Sequence, residues 1–510
     1  MNPRILALFL FLSTSATTLI FADPIDVPLK GTVLFLGDSI THAGHYVSDI
    51  EAVLLEEGVD PDSFELINLG LPSEGVTGLS EPVHPFPRPN VHERLDRALE
   101  KVKPDVVFAC YGMNDGIYYP FSEDRFAAYQ KGMNQLIEKV KATGAPLVLI
   151  TPPPFDPEPL RAEGKVKGPG AESYSWMEIY ENYDTEVLAK YSEWVLSQKD
   201  RVEGVIDART PVLTYVAEKR KTDPDFTLSN DGVHLNEEGH RVLAKAVLSA
   251  LGRDPGAVDR LDAEKLQAIH ADQMVMHSAW VSHVGHLRPG VKAGLPLGIA
   301  RATVALPEGE KPDVLFNGQD LKGWDGDSKF WSVEDGVIVG RNQGTVPSST
   351  YLFTRGVYRD FRLLLEVKQT VSPAHSTMHS AVAALGERIE DEGGNAFGFR
   401  GPLLMFCHDW GVWDAHRRNR IVPPNQKGGF HAQTERTGDW NRIEILVKGN
   451  RIRFVNNGEL VFDFTDEPKM LQESPIGLQL HKNEKPQEYR FRGLVLTENP
   501  GEELVTLEKE

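Results

Sequence analysis

Between Thr32 and Leu251 the chain repeats one alternation: a short, continuous apolar run closed by Gly, Pro or Asp, then a longer stretch with apolar positions at helical spacing. TVLFL, FELINL, DVVFACY, PLVLIT and VEGVIDA are brief and almost wholly apolar, the pattern of strands buried on both faces. YVSDIEAVLLEEG sets Val47, Ile50, Val53 and Leu54 on one helical face, and HERLDRALEKV does the same with Leu95, Ala98, Leu99 and Val102. Asn236, followed by Glu237 and Glu238, predicts the N-cap of a last helix ending at Leu251 and Gly252. Strand and helix in alternation imply βαβ units, and so an α/β domain with a parallel sheet covered on both sides.

The texture then changes twice. RLDAEKLQAIHADQMVMHSAWVSHVGHLRPG is one long helical pattern that stops at Pro289 and Gly290. Its His277, His283 and His286 flank Trp280 at spacings that do not share one face, which predicts a packing helix laid on the first domain rather than a ligand site. GLPLGIARATVALPEGEKP reads as a linker. Past Asp313 the period becomes two: FRLLLEVKQ, WNRIEILVKG, NRIRFVNNG, ELVFDFTD, IGLQLH and YRFRGLVLT are strands joined by turns such as NNGEL, which predicts an antiparallel sandwich. The acidic end, NPGEELVTLEKE, is expected to fray. The organisation predicted is a first domain over 28–252, a helical segment and linker over 253–312, a sandwich over 313–498 and a tail over 499–510.

A chain of 510 residues fits two or three domains. Its net charge of -20 argues against nucleic acid and anionic lipid surfaces as partners and favours a neutral or cationic substrate. MNPRILALFLFLSTSATTLIFADP orders one basic residue, an apolar run and small residues up to Ala22. That is the order of a secretory signal over residues 1–22, so an exported protein, periplasmic or secreted, is expected, without membrane attachment after cleavage. Cys110 and Cys407 both lie in apolar contexts and are read as buried free thiols.

In a parallel α/β sheet ligands gather beyond the carboxyl ends of the strands, so the residues that close each apolar run are the ones to inspect. They are Gly37-Asp38-Ser39, then Asn68-Leu69-Gly70, then Gly112-Met113-Asn114-Asp115, with Asp231-Gly232-Val233-His234 just before the last helix. Acyl transfer by a serine needs a nucleophile, a base, a carboxylate to orient the base and donors for the oxyanion. Ser39 at a strand-to-helix turn, His234, Asp231, the backbone amides of Ser39 and Gly70 and the Asn114 carboxamide supply those parts. No metal or other cofactor is called for. Tyr111, Tyr118, Tyr119 and Trp176 either stack on a sugar ring or simply pack helices, and His42 and His45 either line the pocket or lie on a helix face.

GDSIT, the Gly of NLG, GMND and DGVHL resemble, in order and rough spacing, the four blocks of the SGNH hydrolases, also called GDSL-type esterases. The resemblance covers about residues 30 to 252. It implies a three-layer flavodoxin-like fold, a triad of Ser39, Asp231 and His234, and an oxyanion hole of Ser39, Gly70 and Asn114.

VLFNGQDLKGW, FWSVEDGVIVG, YRDFRLLLEVK, DWNRIEILVKGNRIRFVNNGELVFDFTD and SPIGLQLHKNEKPQEYRFRGLVL resemble the 3-keto-disaccharide hydrolase domain, a concanavalin-like jelly roll, over about residues 313 to 498. His379-Ser380-Ala381-Val382 stands where that family has Asn-Ser-Gly-Val, and LLMFCHDWGVWDAHRRNRIVPPN departs from its usual motif. Carbohydrate binding is therefore inferred ahead of glycosidic cleavage. His408, Asp409, Trp410, Trp413, His416 and Arg417 are the candidate sugar contacts, with Asp414 among them. His375 and His379 are four apart, but Pro373 disfavours the helix that a metal pair would need.

The expectation is an exported serine esterase that deacylates, above all deacetylates, carbohydrate, joined to a glycan-binding or glycan-hydrolysing domain. A lipase or lysophospholipase, or a glycan-binding protein with a vestigial hydrolase domain, remain the alternatives. The sequence leaves the oligomeric state unread.

Overall fold

The five short apolar runs build a single parallel sheet. In the computed structural model, which describes residues 24–161, 163–371, 378–391, 393–406, 410–422, 434–436 and 438–508, the first of them is Gly31–Gly37 (β1). It leads into the short helix Ser39–Ala43 (α1) and then His45–Glu56 (α2). Phe64–Asn68 (β2), Leu95–Val102 (α3), Val106–Cys110 (β3), Glu123–Thr143 (α4) and Leu147–Ile150 (β4) follow. The strand order is β2–β1–β3–β4 and then Gly204–Ile206, all parallel. The signal region, His375, Cys407, His408 and Asp409 lie outside the described residues.

β1 and β3 occupy the middle of the sheet and are covered on both faces, which is why Val33 to Leu36 and Val106 to Ala109 form unbroken apolar runs. The helices bury the faces their spacing foretold: Leu95, Ala98, Leu99 and Val102 of α3 are all in the core. Full burial of one such Leu is worth about 1.5–3 kcal/mol. The chain leaves β1 for β2 on one side and returns to β3 on the other. This reversal opens a crevice beyond the carboxyl end of β1. The last helix, Glu237–Ala250, starts as predicted at Asn236, whose Oδ1 accepts from the Gly239 amide at 2.9 Å.

The long helical pattern becomes the connector helix Ala263–Val284, which ends earlier than Pro289 because Gly285 takes a φ of 82° and caps it. This helix shields the exposed edge of β2, where backbone carbonyls would otherwise lack partners. Gln273 Nε2 donates to the Leu66 carbonyl at 3.1 Å, and His277 Nδ1 to the Asn68 carbonyl at 2.9 Å. Trp280 Nε1 reaches Glu65 at 3.2 Å.

The stretch read as a linker holds a further helix, Leu297–Val304. Its Ile299 and Ala302 pack on Leu364 and Val495 of the second domain, while Arg301 binds Glu65 of the first at 3.0 Å. Gly and Pro around it signal flexibility locally, but an apolar face with a partner on each side overrides that signal.

The second domain is an antiparallel sandwich of two sheets. One runs through Gln487–Glu498, Phe361–Val371, Asn441–Lys448, Arg451–Asn456 and Glu459–Thr465; the other through Gly398–Met405, Ala381–Ala383, Gly477–Leu480 and Thr350–Thr354. Within the described residues the acidic tail is tied to the domain rather than frayed as expected. The amides of Val505 and Thr506 and the Thr506 hydroxyl donate to Glu444 Oε2 at 3.0, 2.9 and 2.7 Å. Glu444 is fully buried against Arg362, and a buried carboxylate holds whatever donors satisfy it.

Candidate active site

β1 ends at Gly37 because nothing larger fits: a Cβ there would lie 2.1 Å from Thr41 Oγ1 and 3.0 Å from the Cys110 carbonyl. Asp38 then caps α1, accepting from the Ile40 amide at 2.9 Å, and Ser39 becomes the first helical residue, half-buried at the crevice. Its amide belongs to the turn whose donors have no intrahelical partner.

Ser39 Oγ lies 2.8 Å from His234 Nε2, and His234 Nδ1 lies 2.6 Å from Asp231 Oδ2. A carboxylate only accepts, so Nδ1 carries the proton and Nε2 presents its lone pair to the serine hydroxyl. Asp231 Oδ1 accepts from the amides of Val233 and His234 at 3.0 and 2.8 Å and from Ser229 Oγ at 3.1 Å. Burial works to raise the Asp231 carboxyl, but these bonds and the His234 charge hold it well below the usual range. Burial likewise works to lower His234, yet the bond to Asp231 and its charge, with Asp38 behind, leave the imidazole above 6.5.

Of the three oxyanion candidates, Gly70 and Asn114 have partners of their own. The Gly70 amide donates to Asn68 Oδ1 at 2.8 Å; a buried N–H takes the acceptor that its own loop offers. Gly70 is required for close approach, since a Cβ would stand 2.2 Å from the His42 amide nitrogen. Asn114 Nδ2 donates to the Glu74 carbonyl at 3.0 Å and lies 3.5 Å from Asp38 Oδ2. Three carboxylates, Asp38, Glu74 and Asp115, are buried around this side chain. Burial pushes Asp38 up to about 7 and Asp115 up to about 6.

Reading the sequence missed Arg88, Glu81 and Glu74. Arg88 Nη1 donates to Asn114 Oδ1 at 2.8 Å and pairs with Glu81 through Nε and Nη2 at 2.7 and 2.6 Å. Glu74 pairs with Arg94 at 2.7 Å and accepts from the Tyr111 hydroxyl at 2.8 Å. The only signal was a set of charges in a Pro-rich stretch, SEGVTGLSEPVHPFPRPN, without a period to orient them.

The aromatic alternatives now separate. Tyr111 and Tyr118 are buried, Tyr119 packs edge-on against Tyr174, and Trp176 is 46% exposed at the tip of a turn closed by Ser175 and Glu178. His42 bonds His277 at 2.7 Å, and His45 stacks on His270 with ring centroids 4.0 Å apart, so both are engaged by the connector helix.

In the second domain Trp410, Trp413 and His416 line a cavity of about 950 Å³ together with Tyr351, Phe399 and His481. The Trp410 and Trp413 rings are 5.1 Å apart, and His379 lies 4.4 Å from Trp410. Arg417 and Asp414 do not join them: Asp414 is fully buried, and Arg417 Nε binds it at 2.6 Å while Nη1 donates to the Met470 carbonyl at 3.1 Å. A buried carboxylate claims the nearest cation before a ligand can. Among the described residues no group of three or more His, Cys, Asp or Glu is arranged to hold a metal ion, and no helix is long and apolar enough to cross a membrane.

Residues 35–242 match the model of the GDSL-like lipase/acylhydrolase family, and residues 311–497 that of the 3-keto-alpha-glucoside-1,2-lyase-like domain. No curated protein matches the chain. Among solved structures the chain is similar to a gut microbial diltiazem-metabolizing enzyme, at 22% identity over 45% of this chain with a TM-score of 0.36; it spans 49% of that protein's length. It is also similar to a carbohydrate acetylesterase family member from Sinorhizobium meliloti, at 18% identity over 44% of this chain and 99% of that one, TM-score 0.31. A third is the carbohydrate binding module CBM66 from Bacillus subtilis, at 14% identity over 34% and 95%, TM-score 0.23.

Proposed function

We infer that this chain, a GDSL-like acylhydrolase domain joined to a 3-keto-alpha-glucoside-1,2-lyase-like domain, is an exported serine esterase that removes acetyl or similar small acyl groups from carbohydrate. Hydrolysis of ester bonds belongs to the first domain. The observation that carries the serine mechanism is the unbroken hydrogen-bond chain from Ser39 Oγ through His234 to Asp231.

Ser39 Oγ attacks the ester carbonyl carbon as its proton passes to His234 Nε2, and Asp231 steadies the imidazolium. The negative charge that develops on the carbonyl oxygen is met by the Ser39 amide and Asn114 Nδ2, and by the Gly70 amide to the extent that it shares the hydrogen it gives Asn68 Oδ1. Collapse expels the sugar oxygen, which takes the proton back from His234. Water, deprotonated by the same imidazole, then releases the acid and restores Ser39. The aromatic cavity of the second domain supplies flat faces for sugar rings.

The test compares wild type with Ser39→Ala on a small aryl acetate and on acetylated polysaccharides. Loss of turnover in a variant that still folds is the expected result; retained turnover refutes the serine assignment. A steep fall in rate beyond short acyl chains separates a sugar deacetylase from a lipase.

A further inference from the structure

The surroundings of Asn114 distinguish the two ends of its carboxamide. Oδ1 accepts from Arg88 Nη1 at 2.8 Å and from the Tyr118 hydroxyl at 3.0 Å. Nδ2 donates to the Glu74 carbonyl at 3.0 Å and keeps its other hydrogen on the side of Asp38, whose Oδ2 is 3.5 Å away. Half a turn of the amide would press an NH2 group against a guanidinium and leave the Glu74 carbonyl facing an oxygen. The donors at Oδ1 therefore decide the orientation, and Arg88 is the charged one.

Arg88 is itself held tightly. Nε and Nη2 engage both oxygens of Glu81, and the side chains are 3% and 0% exposed. The guanidinium carbon lies 5.3 Å from the Tyr118 ring centroid, and Glu81 Oε1 also takes the Trp176 amide at 3.2 Å. All three Arg88 nitrogens are turned to Glu81 and Asn114 rather than to the crevice. Stability alone is a poor reason for such a pair, because well-packed apolar side chains commonly serve as well as a buried ion pair.

We propose that Arg88 is the positioning residue for the oxyanion donor: it fixes the Asn114 carboxamide so that Nδ2 faces the carbonyl oxygen under attack. This rests on the serine esterase reading. Arg88 touches no reacting atom. A cation at Oδ1 also draws electron density from the amide, which makes Nδ2–H a stronger donor as charge builds on the oxyanion. The benefit is largest in the transition state, so it falls on kcat more than on KM.

The experiment uses the full-length chain and an aryl acetate. Arg88→Met with Glu81→Gln removes both charges together, and Arg88→Lys keeps the counter-ion of Glu81 should the double variant fail to fold. Removing an oxyanion donor outright costs about 10²–10³ in kcat, so losing its orientation is expected to cost about 10–100-fold, with KM changed less than about threefold. Arg88→Lys falls between, and the affinity of a boronic acid, which mimics the tetrahedral intermediate, drops in step with kcat. In an Asn114→Ala background the same substitutions add less than about threefold, since the group they position is gone. Undiminished kcat in a folded Arg88 variant overturns the proposal, and so does an equal loss with and without Asn114. Either result leaves the esterase reading standing provided Ser39→Ala is dead; an active Ser39→Ala variant sinks both.

Discussion

His42 Nδ1 and His277 Nε2 lie 2.7 Å apart, and because His277 Nδ1 donates to the Asn68 carbonyl, the hydrogen between the rings comes from His42. The bond joins α1, which carries Ser39, to the connector helix, and in this direction it needs a neutral His277. Asn68 completes the link, its Nδ2 donating to the Thr41 carbonyl at 2.7 Å. The connector helix thus supports the crevice from behind.

This arrangement makes stability pH-dependent. Burial first, then the neighbouring His42, pushes His277 down to about 4. The unfolded chain therefore binds the proton that the folded chain refuses between pH 6.5 and 4. The contribution is whole above pH 6.5 and is lost as pH falls through that window, on the order of 3 kcal/mol in all. Melting temperature measured from pH 7.5 to 4.5 should fall for wild type and follow a shallower slope for His277→Gln, which starts lower. Part of the slope persists because buried His240, pushed down to about 3, behaves alike. Parallel slopes would show that His277 is not the group responsible.

Activity should depend on pH in the opposite region. In the proposed mechanism His234 acts as a base only when neutral, and its pKa stands above 6.5. The rising limb of kcat/KM is thus expected above pH 6.5. Asp231→Asn removes both the charge and the tautomer lock; it should shift that limb to lower pH and reduce kcat by about 10³–10⁴. A limb that stays in place would mean another group titrates.

Gly70→Ala tests the packing of the crevice. The new Cβ would meet the His42 nitrogen at 2.2 Å and the Thr41 carbonyl carbon at 2.6 Å, both of them backbone atoms that cannot swing aside. α1 must move and take Ser39 with it, so kcat/KM should drop by about 10² or more, the usual outcome of a misplacement near 1 Å. Gly344→Ala, with nothing within 4 Å of its Cβ, is the control and should leave both activity and melting temperature almost unchanged.

The crevice was legible in the sequence because one rule translates short range into long range. A parallel sheet puts every strand's carboxyl end at one edge, so the residues closing the runs at Ser39, Gly70 and Asn114 had to meet; His234 joins them from the loop before the last helix, touching Ser39 across 195 positions. Nothing comparable applies to Arg88. It lies in a Pro-rich loop, and only the packed fold decides that its charge is buried between Glu81 and Asn114. Helix Leu297–Val304 was hidden for the converse reason, since flanking Gly and Pro look like a linker until Leu364 and Val495 cover its apolar face. The tail residue Thr506 reads as solvent-exposed until the fully buried Glu444 claims it.

Trp410 and Trp413 make the division of labour between the domains measurable. Their rings are 5.1 Å apart beside a cavity of about 950 Å³, roomy enough for more than one sugar ring, whose lining includes no residue of the Ser39 crevice. Replacing both with Ala removes the flat faces on which a sugar would stack, and Asp414 and Arg417, bound to each other, do not line the cavity to replace them. If the proposed substrate class holds, binding of the full-length chain to an acetylated polysaccharide should weaken at least about tenfold, the factor that 1.4 kcal/mol represents, whereas kcat on an aryl acetate should not change. Loss of aryl acetate turnover as well would mean that the two sites are coupled through the fold, and unchanged polysaccharide binding would remove the cavity from the account of substrate capture.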